Sequence, residues 1–266
     1  MDTPFALISS AINVIVTGIF AVVVLRQYLR RHRSYQMYWF VGLLMAFIAT
    51  LAYVFMLRVG PTSYNGIILF RAYYILGVLT PAWLGLGSVA LISSPRATTL
   101  WLTFLYLLSG LTTALVLLAQ IHMQMLSQIV GPGTGILQPG PWLVAVIIIN
   151  TLGVVAVVGV AIYSGLKLYR RQQNIAGLRT SNILWANVLI LVGDLLNAGA
   201  GSVARILGFE SGFWVLMALG WVVFFVGVLL ASRRSAPAKV GAAKDFEDAR
   251  SMTGTSPVTT IPPNSM

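Results

Sequence analysis

Seven apolar stretches run along the chain: Phe5–Leu25, Met37–Leu57, Gly66–Ser93, Thr98–Gln120, Trp142–Leu166, Ile183–Ile206 and Phe213–Ser232. Polar residues gather in the gaps between them. A helix needs roughly 20 apolar residues, each rising about 1.5 Å, to cross about 30 Å of hydrocarbon. Each stretch meets that length. The pattern predicts an all-α integral membrane protein, a seven-transmembrane-helix bundle over residues 1–234. A tail over 235–266 follows, rich in Ser, Thr, Pro, Ala and Gly, with a mixed-charge patch at Lys244-Asp245-Phe246-Glu247-Asp248. It has too little apolar surface to form a core and is expected to be disordered.

The gaps carry charge on alternate sides. Arg26, Arg30, Arg31 and Arg33 follow the first stretch, and Arg96 separates the third from the fourth. Lys167, Arg170, Arg171 and Arg179 separate the fifth from the sixth, and Arg233, Arg234 and Lys239 follow the seventh. These twelve face only Arg58 and Arg205 on the other side. The positive-inside rule therefore predicts an outside N-terminus and a cytoplasmic C-terminus. Arg30, Arg31, Arg170, Arg171, Arg233 and Arg234 are expected to meet anionic lipid headgroups. The net charge of +11 is thus accounted for by the membrane, and a nucleic-acid partner is not expected. Met1-Asp2-Thr3-Pro4 places no basic region before the first stretch, so that stretch is expected to be a retained helix rather than a cleaved signal.

One connection is long. Residues 121–140, on the outer side, include Gly131-Pro132-Gly133 and Pro139-Gly140-Pro141, so the end of this loop is irregular. Its first part, His122–Ile129, is expected to extend the fourth stretch or to lie in the interface as a short amphipathic piece. On the outer face the loop either caps a cavity or is a mobile tether. Small residues mark packing faces: Gly153, Val157, Ala161 and Ser164 in the fifth stretch, Gly193 and Gly201 in the sixth, Gly220 and Gly227 in the seventh. Pro81 is expected to kink the third helix.

Composition narrows the chemistry. Residues are 58% hydrophobic and only 9% charged, against about a quarter charged in a soluble domain. Cysteine is absent, which removes disulfides, thiolate metal sites and cysteine nucleophiles. Haem between helices needs a paired axial set, and His32 and His122 fall in gaps at opposite ends. No metal site, phosphate loop or nucleophile–base pair is visible, so neither a cofactor nor an enzyme activity is expected.

The ionisable residues inside the apolar stretches are the strongest pointers, because each is costly in hydrocarbon. Asp194 lies 11 residues from Ile183 and 12 from Ile206, roughly 16–18 Å from either end of its stretch. Arg71 lies about 6 Å below Ile67. Asn187, Asp194, Asn197, Gly201 and Arg205 follow helical spacing and form one polar stripe. Tyr74 shares a face with Arg71, and Asn150 falls at similar depth. Arg71, Tyr74, Asn150, Asp194 and Asn197 are therefore expected to form a polar layer in the outer half, with Arg71 above and Asp194 at its base. An Arg71–Asp194 pair would have to bridge a depth difference of roughly 10 Å. A purely structural layer that fixes helix order stands beside the functional reading.

Seven spans with an outside N-terminus resemble microbial rhodopsins and G-protein-coupled receptors in topology alone. The seventh stretch holds no lysine for a retinal Schiff base and no Asn-Pro-x-x-Tyr motif. Leu69-Phe70-Arg71-Ala72-Tyr73-Tyr74-Ile75-Leu76-Gly77, with Trp83-Leu84-Gly85-Leu86-Gly87, resembles the third span of uncharacterised bacterial seven-helix membrane proteins. Asn150–Arg171, with Gly153, Gly159 and Tyr163-Ser164-Gly165, resembles their fifth. The resemblance covers nearly all the chain before the tail and implies their fold without an activity. A looser one is to the seven-helix input regions of bacterial histidine kinases, although no kinase follows in this sequence.

The function expected from these residues is a non-catalytic sensor, receptor-like protein or accessory subunit of a bacterial inner (plasma) membrane. It would carry a polar cavity in the outer half and meet a cytoplasmic or membrane protein partner. The alternative is a small proton-linked transporter or permease using Asp194.

Overall fold

The computed structural model describes residues 2–133, 135–172, 179–206 and 210–232. Side chains are described over the same residues except 2, 3, 168–172, 179–183, 204, 205, 211 and 232. The chain divides into two units, Met1–Ser232 and Arg233–Met266. The expectations for Arg233, Arg234 and the tail fall in the second unit, outside the described residues. The side chains of Arg170, Arg171 and Arg205, in the first unit, also lie outside the described residues.

The helices are α1 (Asp2–Arg31), α2 (Ser34–Val59), α3 (Tyr64–Ile92), α4 (Pro95–Leu118), α5 (Met123–Ser127), α6 (Pro141–Gln172), α7 (Arg179–Ile206) and α8 (Phe213–Ser232). A 3₁₀ turn, Glu210–Gly212, precedes α8. All but α5 are long and apolar enough to cross a membrane. Among the described residues the sole extended pairing is an isolated bridge between Ile121 and Leu137. Several helices outrun the apolar stretches that predicted them: α1 continues through Arg26, Arg30 and Arg31, whose charges favour the negative C-terminal end of the helix dipole.

The connections are short because their residues close helices efficiently. His32 takes a left-handed conformation (φ 48°) and donates its N–H to Tyr28 O, which stops α1 two residues before α2 begins. Gly60 also has positive φ, 94°. Ser63 then caps α3 by accepting from Gly66 N at 3.0 Å. Ser94 caps α4 in the same way, with Pro95 at its first position.

Six long helices form a ring in the order α1, α2, α3, α6, α7, α8, with α8 returning to α1. α4 lies outside the ring, on the seam between α3 and α6. Small residues bring the backbones together at two crossings. A Cβ on Gly153 would overlap the backbone of Pro81, so the proline turn of α3 seats directly on α6. A Cβ on Gly193 would come within 2.5 Å of Phe224 N, and one on Gly220 would overlap the Asn197 amide, so α7 and α8 touch along that face. Large side chains fill the ring. At one end Tyr53, Phe70, Tyr73, Tyr74, Trp142 and Trp214 pack together. At the other, Phe20, Leu43, Leu84, Val157, Ile190, Trp221 and Phe224 do so.

Candidate functional site

The first of these ends is closed by the loop between α4 and α6. Leu126 of α5 is fully buried, and Ile129, Ile136 and Leu137 are buried beside it against Tyr53, Phe70 and Trp214. His122 N donates to Ile136 O at 2.8 Å and Gln138 N to Gln120 O at 2.9 Å, so the two arms of the loop hold each other. Tyr73 donates its hydroxyl to Pro132 O at 3.0 Å, which ties the loop tip to α3. Gly131 packs on Glu210 of the turn before α8, where a Cβ would fall 2.8 Å from Glu210 O. Gly201 of α7 faces Pro132. The loop is inserted into the bundle as a cap and touches three ring elements, but it covers packed side chains rather than the cavity expected beneath it.

Beneath the cap lie rings in close contact. Tyr53 and Trp214 have centroids 4.4 Å apart, Tyr53 and Tyr73 5.1 Å, and Tyr74 and Trp142 5.8 Å. Offset and edge contacts at such distances favour one fixed arrangement. These rings occupy the part of the bundle where the sequence predicts a polar cavity. The Tyr53 hydroxyl and Trp214 Nε1 are both buried there.

The expected polar layer is spread over separate local bonds. Arg71 does not reach towards Asp194. Its guanidinium donates to Val116 O at 2.9 Å, Leu117 O at 2.5 Å and Ala119 O at 3.2 Å, closing the C-terminal end of α4. Carbonyls at a helix end lack donors from a following turn, Val116 O accepting only the cap N–H of Ala119, and the dipole there favours a cation. Asn150 donates its amide to Val146 O at 2.9 Å, one turn back in α6. Tyr74 is buried in the aromatic cluster, against Phe70 and Trp142.

Asp194 and Asn197 stay together, one turn apart on α7. Asp194 is 5% exposed and its Oδ2 has no hydrogen-bond partner. Asn197 Oδ1, resting on Gly220 of α8, has none either, nor has Asn187 Nδ2 two turns away. A buried carboxyl retained at such cost inside an apolar bundle is a functional candidate. α1 contributes a second polar stripe that sequence reasoning missed. Ser9, Ser10, Asn13 and Thr17 are all buried, and Asn13 donates to Thr50 of α2 at 3.4 Å. Their three- and four-residue spacing was the available signal. Arg30 and Arg31 are exposed at the far end of α1.

Comparison with protein-family models, with curated proteins and with solved structures finds no match to this chain.

Proposed function

We propose that this chain is a non-catalytic, receptor-like or accessory protein of a bacterial inner membrane, with the capped end outside and the basic end in the cytoplasm. The orientation rests on the sequence, whose gaps carry twelve basic residues on one predicted side against two on the other. The sensing role rests on one observation, the inserted loop. Tyr73 of α3, Gly201 of α7 and Glu210 before α8 all meet the tip of this loop. A ligand or partner that shifts the tip therefore acts on three helices whose other ends lead to the basic face. This reading requires a second packing of these helices, through which a small displacement at one end becomes a rearrangement at the other.

A second reading, a proton-linked transporter, draws support from Asp194, whose unpartnered Oδ2 lies deep in the bundle. Transporters usually combine broken helices with several polar groups from both faces, and the polar groups described on α7 number few. Purification from the native membrane, with mass spectrometry of co-eluting small molecules and proteins, tests the first reading. A stoichiometric ligand or partner supports it. If reconstituted vesicles instead move protons or a solute, and Asp194→Asn stops the movement, the receptor-like reading falls.

A further inference from the structure

Two apolar clusters fill the ring, and the residues that separate them are polar. On α1, Ala6 and Phe20 belong to opposite clusters, and Asn13 lies midway between them on the same face. On α7, Ala200 and Ile190 bracket Asp194 and Asn197 in the same way. On α2, Tyr53 and Ala46 bracket Thr50, and on α3, Tyr74 and Leu84 bracket Thr80. Asn13, Thr17, Thr50, Thr80 and Asp194 are all buried. Their levels agree across the ring. A Cβ on Gly193 would meet Phe224 N, and the Phe224 ring lies 5.6 Å from that of Phe20. That sets Asp194 about level with Thr17. Asn197, resting on Gly220, lies about 4.5 Å nearer the cap, close to the level of Asn13.

This layer is rich in acceptors and poor in donors. The hydroxyls of Thr17, Thr50 and Thr80 each donate to the carbonyl one turn back in their own helix. Asn13 Nδ2 donates to Thr50 Oγ1. Three oxygens remain without a hydrogen-bond partner: Asn13 Oδ1, Asp194 Oδ2 and Asn197 Oδ1. Against them, inside the ring at these levels and among the described residues, stands one unpartnered donor, Trp221 Nε1. Asp194 also brings a charge, and a buried carboxylate needs a proton or a counter-ion. A proton satisfies the carboxyl and leaves both amide oxygens bare. A hard cation takes carboxylate and amide oxygens together. One carboxylate matches a monovalent ion, whereas divalent sites collect several.

We propose that the layer between the two apolar clusters binds one sodium ion on Asp194, with Asn13 and Asn197 supplying neutral oxygens. This rests on the ring and its polar layer and is independent of the sensing role. The ion ties α7 to α1, two helices that have α8 between them in the ring.

Melting of the full chain in phosphatidylcholine nanodiscs tests it, with sodium chloride compared against N-methyl-D-glucamine chloride at equal ionic strength. An ion that binds only the folded chain raises the melting temperature as its concentration rises. The parent should therefore melt higher in sodium, and higher still as sodium increases. Asp194→Asn, which removes the charge and keeps the shape, should melt alike in the two salts. Asn13→Ala and Asn197→Ala should each need roughly tenfold more sodium for the parent's shift. If any one of the three variants fails to fold, the others carry the test. Sodium NMR gives a second readout, with a broader line in the presence of the parent than of Asp194→Asn. Equal melting of the parent in both salts overturns the site, as does a sodium shift that persists in Asp194→Asn. Undiminished sodium dependence in both amide variants overturns the assignment of Asn13 and Asn197.

Discussion

Arg71 offers the clearest quantitative test, because its three bonds all go to the end of one helix. Two of them, to Val116 O and Ala119 O, are partly buried, while the bond to Leu117 O faces outward, where water can replace it. A hydrogen bond from a charged donor contributes about 1.5–3 kcal/mol net, and a cation at a helix C-terminus about 0.3–1 kcal/mol. Counting the two sheltered bonds near the lower value, Arg71→Met should destabilise the bundle by about 3–4 kcal/mol. Arg71→Lys, a single ammonium that cannot span separated carbonyls, should recover about half of that loss. Chemical unfolding in bicelles, followed by tryptophan fluorescence and circular dichroism, gives the values. The same experiment separates this arrangement from an Arg71–Asp194 ion pair. With no shared contact, Arg71→Met and Asp194→Asn should add, with a coupling below about 0.5 kcal/mol. A coupling above about 1 kcal/mol, or a loss from Arg71→Met below about 1 kcal/mol, refutes the capping account.

Other perturbations follow from the same geometry. Tyr73→Phe removes the bond to Pro132 O and should cost about 1 kcal/mol, with faster amide exchange confined mainly to residues 120–138. Gly153→Ala and Gly193→Ala push a methyl into backbone and should each lower stability by about 1–3 kcal/mol. Gly110→Ala, with nothing within 4 Å of the new Cβ, should raise it by up to about 1 kcal/mol; melting curves of the three variants decide this. Without sodium, Asp194→Asn should leave the melting temperature unchanged or higher, because the Oδ2 it replaces bonds to no other group of the chain. A loss above about 1 kcal/mol there would mean that the carboxylate holds a partner within the chain.

Hydropathy made the seven helices legible because lipid exposure demands uniformly apolar surfaces. It marked the part of each helix that suits lipid, not the helix itself. α1 therefore continues six residues past Leu25, and α6 begins at Pro141 and runs on past Leu166 to Gln172. The burial of Asp194 was equally legible, since a carboxyl at that depth cannot face hydrocarbon. The bonding of Arg71 was not. Its acceptors are backbone carbonyls 45 to 48 residues away, and a carbonyl carries no mark in the sequence. Asn150 is similar, since its acceptor is the carbonyl one turn back. The insertion of residues 121–140 was half visible. Leu126, Ile129, Ile136 and Leu137 are apolar residues in a loop, but whether such residues bury depends on the cavity mouth that six other helices create.

Cysteine accessibility bears most directly on the claim that a membrane bundle carries an inserted cap at its outer end. The natural chain has no cysteine, so every signal comes from the introduced residue. Gln128 is exposed on the loop, Leu126 two residues earlier is fully buried, and His32 is exposed in the turn between α1 and α2 at the opposite end. In intact cells treated with an impermeant maleimide, Gln128→Cys should react fully. Leu126→Cys should react only after denaturation, and His32→Cys only after the cells are opened. Labelling of Leu126→Cys at the rate of Gln128→Cys would contradict the inserted cap, and labelling of His32→Cys in intact cells would contradict the orientation.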